Sequence, residues 1–185
     1  MEKTGRQSGN QSPRGQEREG LAMFSIGDLV VHPMHGAGMI DDIVLEKIAG
    51  VKKEYYVFKM PAGGLVLKIP VATSQMIGLR GIMSRQDACA LWEAIPNLSV
   101  ETTANWNKRY QENLTRLKSG DLYEVAGVIK ALMHRDHVRG LSTGERKMLH
   151  NAKQIIISEI VLVEESDYRD VERRLDLAMT QEAAH

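Results

Sequence analysis

A tryptophan flanked by amides and cations is the feature of this sequence that most directly suggests chemistry. The segment reads Asn105-Trp106-Asn107-Lys108-Arg109-Tyr110, and the chain has one other tryptophan, Trp92. Large aromatic side chains are usually buried, which favours Trp106 as a core or helix-junction residue. A flat ring beside positive charge is equally suited to a nucleic acid, with the ring at a base step and the cations at phosphates. Composition alone leaves both interpretations open.

Two His-x-x-His pairs raise the question of a metal centre. They are His32 with His35, and His134 with His137, the second with Asp136 between its members. A catalytic zinc site usually needs three protein ligands held by a surrounding shell, and no third ligand is convincingly arranged at either pair. The sequence also lacks a phosphate-binding glycine loop, a nucleophile elbow and an HExxH helix. We therefore predict no metal, no cofactor and no enzymatic activity, with a metal-dependent enzyme at the second pair as the weakest alternative.

The charge of the chain is balanced overall but unevenly distributed. Lysine and arginine together number 24, and aspartate and glutamate also number 24. Residues 103–153 carry ten cations and five acids, a net charge of +5, whereas residues 159–185 carry eight acids and three arginines, a net charge of −5. A basic middle beside an acidic end predicts a localised site for a polyanion.

Location is indicated by what the sequence lacks. No apolar run approaches the roughly 20 residues that span a bilayer, and the polar N-terminus lacks the apolar core of a signal peptide. The single cysteine, Cys89, has no partner for an internal disulfide, which fits a reducing compartment, and its apolar helical surroundings predict burial. We expect a cytoplasmic protein without a membrane contact.

The elements that must position these residues fall into two sets. Residues 1–22 have almost nothing to bury and are predicted to be disordered. From Met23 the apolar pattern has a period of two, which predicts strands at 29–32, 38–45, 54–60 and 65–70 with short turns between them. Strands connected this tightly favour an antiparallel meander, and we predict a small SH3- or Tudor-like barrel in a domain spanning 23–80.

Residues 81–180 are predicted to form an all-α bundle, so the fold class is a two-domain α+β protein. The predicted helix caps are Ser84, Thr103, Asp121 and Ser142. The helix after Thr103 carries Trp106, and Ser142 with Glu145 has the spacing of a capping box. A final amphipathic segment, 167–179, is expected to pack only weakly.

Several motifs in this order resemble the CarD/CdnL family of bacterial transcription regulators. The N-terminal match is Phe24-x-Ile26-Gly27-Asp28-x-Val30-Val31-x-Pro33-x-His35-Gly36. The C-terminal matches are Asn105-Trp106-x-x-Arg109-Tyr110, then Leu117-x-Ser119-Gly120-Asp121, then Arg135-Asp136-x-x-Arg139-Gly140-Leu141-Ser142-x-Gly144-Glu145-x-x-Met148-Leu149. Because order and spacing agree from residue 23 to about 165, the resemblance is more specific than any single motif.

The resemblance implies a two-part function. The Tudor-like domain would bind the RNA polymerase β subunit, like the same module in the transcription-repair coupling factor. The helical domain would bind promoter DNA at the upstream edge of the minus-ten element, with Trp106 as a wedge that stabilises the open complex. The expected protein is a monomer in the cytoplasm, associated with the nucleoid. A DNA-binding nucleoid protein that acts without polymerase is the alternative, which the basic helical half alone would support.

Site residues follow from the resemblance and from the local chemistry. The predicted DNA contacts are Trp106, Lys108, Arg109, Arg146 and Lys147. The predicted polymerase contacts are Lys68, Ile69 and Pro70, of which Lys68 lies where the family pattern commonly has a basic residue. Val66 is interpreted as barrel core in preference to an edge contact. Glu46 departs from relatives that carry a basic residue there, which brings the charge pairing at that edge into question.

Overall fold

The computed structural model describes residues 23–61, 64–100 and 103–181. The segment 1–22, predicted from its composition to be disordered, lies outside the described residues. The described part has a sheet in its first half and only helices in its second half, which confirms the predicted two-domain α+β class.

An antiparallel sheet of five strands forms the first half. The strands are β1 (Leu29–His32), β2 (Gly36–Ile48), β3 (Val51–Lys59), β4 (Val66–Pro70) and β5 (Arg80–Gly81). Their order in the sheet is β4-β3-β2-β1-β5, with antiparallel pairing throughout. Within the described residues β4 and β5 remain the two edges, so the antiparallel meander is confirmed and the closure of a barrel is not.

The long β2–β3 hairpin turns on two residues. Ala49 and Gly50 both have positive φ, 50° and 84°, and Ile48 pairs with Val51 across the turn. Positive φ at both central positions matches the twist of the flanking strands, and glycine at the second position adopts it without steric cost. One face of the sheet is buried around Tyr56 and Phe58.

Six helices follow or interrupt the strands in the described residues. They are α1 (Ser74–Ile77), α2 (Arg85–Ala94), α3 (Trp106–Lys118), α4 (Leu122–Arg139), α5 (Thr143–Glu164) and α6 (Tyr168–Thr180). The predicted caps Ser84, Asp121 and Ser142 are confirmed, because each side chain accepts a hydrogen bond from a backbone N–H of the first turn.

The predicted cap of α3 was wrong by two residues. Asn105 caps this helix, and its Oδ1 accepts from the N–H of Lys108 at 3.1 Å. Thr103 instead donates its hydroxyl to Glu112 at 2.9 Å. Asparagine is among the best capping residues, and Asn105 stands directly before the first turn, so it caps α3 in place of Thr103.

The helical core also differs from two expectations. Residues Val171, Leu175 and Met179 of α6 are buried at a spacing of four, so α6 is an integral part of the core rather than a weakly packed segment. Cys89 was predicted to be buried and is exposed. The buried positions of α2 are Ala88 and Leu91, and Cys89 lies about 100° around the helix from Ala88.

α5 joins the helical half to the sheet. Its Ser158 Oγ accepts from the backbone N–H of Ala37 at the start of β2, at 2.8 Å. The fully buried Glu159 accepts from both terminal nitrogens of Arg80 in β5, at 2.7 and 2.9 Å, and from the N–H of Met83 at 2.8 Å. The two halves are therefore connected by hydrogen bonds and by an ion pair with a buried carboxylate, as well as by the chain.

Candidate nucleic-acid interface

Trp106 is the first residue of α3 and lies at the surface. Its side chain is 44% exposed, so its placement excludes the core-residue interpretation. One face of the indole stacks on Tyr110, with ring centroids 5.2 Å apart and planes inclined by 21°. The Nε1–H donates to Ser142 Oγ at 3.3 Å. The ring therefore has one face stacked on Tyr110 and one edge bonded to Ser142, while the residue remains largely exposed.

Local sequence explains how Trp106 and Tyr110 come together. The Asn105 cap starts the helix at Trp106, and residues four apart in a helix lie on the same face. Stacked aromatic pairs with offset rings contribute about 0.5–1.5 kcal/mol beyond their burial. The indole is thus supported by its own helix before any contact with another element.

Ser142 belongs to the capping box that begins α5. Its Oγ accepts from the N–H of Glu145 at 3.3 Å and donates to Glu145 Oε2 at 2.9 Å. Glu145 Oε2 also accepts from the backbone N–H of Ser142 at 3.0 Å. The start of α5 is therefore fixed at the point where the Trp106 edge meets it.

Arg109 was predicted to contact phosphate, and the structure places it elsewhere. The residue is only 5% exposed. Its Nε and Nη2 donate to Glu145 Oε1 at 3.0 and 2.8 Å, and its Nη1 donates to the carbonyl oxygens of Thr103 and Ala104 at 2.7 and 3.3 Å. A guanidinium occupied in this way has no free donor fork for DNA, so Arg109 leaves the set of candidate contacts and becomes part of the support.

Glu145 is the centre of this support. Burial on its own raises the pKa of the carboxyl, but hydrogen bonds from Ser142 and Arg109 and the Arg109 charge outweigh it and lower the pKa below its ordinary value. A second guanidinium group, that of Arg135 in α4, has its Nε 3.2 Å from Glu145 Oε1. The carboxylate is therefore ionised at neutral pH and binds α3, α4 and α5 to one another.

The other predicted DNA contacts are exposed cations near Trp106. Lys108 follows it by two residues, with its Nζ 3.8 Å from Glu112. Arg146 and Lys147 lie in the first turns of α5, just after Ser142, and both are exposed. Arg146 Nε donates to the carbonyl of Leu141 at 3.2 Å, which leaves its remaining nitrogens available. Lys108, Arg146 and Lys147 therefore remain predicted DNA contacts.

The second His-x-x-His pair is at the surface of α4. His134 and His137 are both exposed in its last turns. Within residues 23–61, 64–100 and 103–181, no group of three or more His, Cys, Asp or Glu side chains is arranged to bind a metal ion.

The predicted polymerase contacts on β4 point to opposite faces of the sheet. Lys68 is exposed and forms an ion pair with Glu46, so the departure at Glu46 gives Lys68 a partner within the chain. Ile69 is buried in the sheet core, where it is not available to a partner, and Pro70 is half-buried. Val66 was interpreted as core and is 53% exposed, because side chains alternate along a strand and Ile69 faces inward.

The exposed side of β2, β3 and β4 carries a patch of apolar side chains around Lys68, bordered by the charged Asp42 and Lys59, that we call the outer sheet face. Pairing puts Tyr55 between Pro70 on one side and Val44 on the other, and Lys68 beside Val57. The outer sheet face consists of Val44, Tyr55, Val57, Val66, Lys68 and Pro70, none of them buried. Along its border, β4 pairs with β3 on one side, and no described strand pairs with the other side.

Comparison with known proteins finds two family models that match successive parts of the chain. Residues 24–83 match the family model described as the CarD-like/TRCF RID domain, and residues 90–176 match the model of the CarD C-terminal domain. A similar protein is the "Putative transcription factor YdeB" of Bacillus subtilis (strain 168), 30% identical over 141 residues, which are 76% of this chain and 92% of that protein. Within the described ranges, no helix combines the length and the apolar character that crossing a bilayer requires. The chain belongs to the CarD family of transcription regulators.

Proposed function

We propose that this regulator binds the RNA polymerase β subunit through the outer sheet face and promoter DNA through Trp106, and that it thereby stabilises the open promoter complex. The observation that carries the proposal is the exposed indole of Trp106, which is supported by Tyr110 on one face and by Ser142 at one edge. No bond-making step enters this function.

The DNA half of the proposal rests on the shape and charge around Trp106. A flat apolar face can cover a base step that unstacks as the duplex opens at the upstream edge of the minus-ten element. A stacking contact of about 1–3 kcal/mol made only in the open complex shifts the opening equilibrium roughly 5- to 150-fold. Three phosphate contacts from Lys108, Arg146 and Lys147 would give a slope of log affinity against log salt of about −2.7.

The polymerase half rests on the edge of the sheet. An edge strand presents unpaired backbone N–H and C=O groups that can accept another strand. β4 is such an edge, and Val66 and Lys68 project from it on the outer sheet face. The match of residues 24–83 to the CarD-like/TRCF RID domain favours polymerase as the partner there.

Binding both partners at once makes weak contacts sufficient. When one half is attached to polymerase, the other half meets promoter DNA at an effective concentration up to millimolar. The ion pair and hydrogen bonds between α5 and the sheet restrict the relative motion of the two halves, which favours a single geometry of the complex.

The experiment is a measurement of open-complex lifetime with the cognate polymerase. The native chain is expected to prolong the lifetime, and Trp106→Ala is expected to lose most of this effect while still binding polymerase. Trp92→Phe is the control, because Trp92 is half-buried between α2 and α5 and bonds to Glu164. An unchanged lifetime together with strong duplex binding in the absence of polymerase would replace the proposal by the nucleoid-protein alternative.

A further inference from the structure

The hydroxyl group of Ser142 has more partners than a helix cap needs. We propose that Ser142 is a positioning residue for Trp106, which fixes the orientation of the indole before DNA arrives. The inference rests on the proposed function, because it assigns how the DNA-contacting ring is held. Glu145 and Arg109 act behind Ser142 in the same arrangement.

The hydrogen bonds of the Ser142 hydroxyl support this role. A serine hydroxyl has one donor hydrogen and two acceptor lone pairs. The hydrogen goes to Glu145 Oε2 at 2.9 Å, and the lone pairs accept from the Glu145 N–H and the Trp106 Nε1–H, both at 3.3 Å. Because the carboxylate takes the hydrogen, the oxygen presents a lone pair to the indole, and the polarity of the contact is fixed.

The carboxylate that orients Ser142 also holds the start of α3. Glu145 binds Arg109, and Arg109 donates to the carbonyl oxygens of Thr103 and Ala104, which come directly before the Asn105 cap. The helix start that bears Trp106 and the helix start that bears Ser142 are thus tied to one buried group. A shift of either start would break a charged hydrogen bond in a region of low exposure.

A fixed indole changes what DNA binding costs. A side chain that is ordered only on binding loses conformational freedom at that step, which weakens binding about 2- to 10-fold. With Tyr110 on one face and Ser142 at the edge, Trp106 has already lost most of this freedom in the free protein. Removing the Ser142 hydroxyl should therefore weaken the effect of Trp106 without removing the ring.

The chain supplies a matched control for a simple capping role. Ser84 begins α2 with a capping box to Asp87 of the same kind as that of Ser142, and its hydroxyl exchanges hydrogen bonds with Asp87. Ser84→Ala loses a cap of the same kind and leaves the DNA surface untouched. Ser84→Ala controls for the loss of a capping box, and because Glu145 is buried and Asp87 is exposed, the contact to Trp106 is isolated by repeating Ser142→Ala in a Trp106→Phe chain.

The test compares open-complex lifetimes for variants of the full chain. Ser142→Ala is expected to reduce the lifetime effect about 2- to 10-fold, the range for one lost hydrogen bond. Ser142→Thr keeps a hydroxyl and should restore it, and Ser84→Ala should match the native chain. Trp106→Phe lacks the Nε1–H, so adding Ser142→Ala to it should cause little further loss.

A second readout follows the indole itself. In a Trp92→Phe chain, fluorescence reports Trp106 alone, and acrylamide quenching should increase with Ser142→Ala and return with Ser142→Thr. Equal lifetimes for Ser142→Ala and the native chain, or an equal loss in Ser84→Ala, would overturn the positioning role.

Two further variants keep the test decisive. Should Ser142→Ala fail to fold, Trp106→Phe removes the same hydrogen bond from the side of the ring, and a native lifetime in that variant would equally overturn the positioning role. A Trp106→Ala variant that keeps the full lifetime effect defeats the proposed function instead, so the two failures are distinguishable.

Discussion

Arg80 and Glu159 form a two-pronged ion pair between the last strand of the sheet and the middle of α5. Two guanidinium nitrogens donate to the two carboxylate oxygens at 2.7 and 2.9 Å, and the carboxylate is fully buried. This pair is the strongest polar connection between the half proposed to bind polymerase and the half proposed to bind DNA.

Glu159→Gln should destabilise the fold by about 1.5–3 kcal/mol, because the buried carboxylate loses its charged hydrogen bonds with Arg80, whose side chain is about a third exposed. Urea denaturation measures the change in free energy of unfolding. Glu165→Gln is the control, since its pair with Arg85 is exposed and should contribute less than about 1 kcal/mol. Equal effects of the two substitutions would show that the pair between Arg80 and Glu159 contributes no more to the free energy of unfolding than an exposed ion pair does.

Gly36→Ala tests the close approach at the same junction. Gly36 has a φ of 92°, and an added Cβ would lie 2.3 Å from Ser158 Oγ. Gly50→Ala is matched in conformation, with a φ of 84°, but its Cβ meets nothing within 4 Å. Backbone strain should cost about 1–2 kcal/mol at both positions, and overpacking should add about 1–3 kcal/mol at Gly36 only. The difference in denaturation midpoints measures the clash, and no difference would contradict it.

Glu145 predicts a loss of stability in acid. Burial raises the pKa of its carboxyl. The hydrogen bonds from Ser142 and Arg109 lower the pKa by more than burial raises it, so the pKa lies below the ordinary value of 4.5. The unfolded state therefore binds the proton first as the pH falls, so the stabilisation is complete above pH 4.5 and is lost below it. Denaturation at a series of pH values should show this slope, reduced in Glu145→Gln. A slope unchanged by the substitution would mean that other carboxyls, such as Glu164, dominate.

His32 predicts a second pH effect at milder acidity. Burial, followed by the nearby charge of His35, lowers the pKa of His32 from 6.5 to about 4. Protons bind the unfolded state first between these values, so stability should decline as the pH falls from 6.5 to about 4. His32→Asn keeps an acceptor for the Met34 N–H and removes the titration. If the decline persists in this variant, His32 is not its source.

Val66→Asp tests the outer sheet face. A charge in place of an exposed apolar side chain next to an unpaired strand edge should weaken binding to core polymerase about 10-fold or more. Met76→Asp is the control, because Met76 is 87% exposed on α1 and does not belong to the outer sheet face. Binding is measured with labelled chain and purified core enzyme. Equal affinities for Val66→Asp and the native chain would move the polymerase contact away from this surface.

Local patterns predicted most of the fold. Alternation located the strands, and cap residues such as Asp121 and Ser142 located helix starts, because both signals act between residues close in sequence. The β2–β3 hairpin is longer than predicted, since Lys47, Lys52 and Lys53 hide the alternation near its tip. The positions of Thr103, Cys89 and α6 were misjudged because tertiary packing chooses among locally equivalent options.

The candidate site was only partly predictable. Trp106 was found from its neighbours, but its orientation depends on Ser142, which lies 36 residues away in the chain. Arg109 and Lys108 are adjacent cations of equal weight in a sequence pattern, and only the folded position of Glu145 separates the buried one from the exposed one. Similarly, the inward direction of Ile69 and the outward direction of Val66 follow from strand register.

The length of α5 fixes the distance between the Trp106 contact and the sheet. The helix is capped by Ser142 at the indole and bonded to the sheet at Ser158, and the rise between these residues is about 24 Å. On promoter DNA that length corresponds to about seven base pairs at roughly 3.4 Å each. One residue added between the two points would also turn the ring by about 100° relative to the sheet. In the proposed complex, the length of α5 would therefore set the distance between the polymerase contact on the sheet and the base step at Trp106.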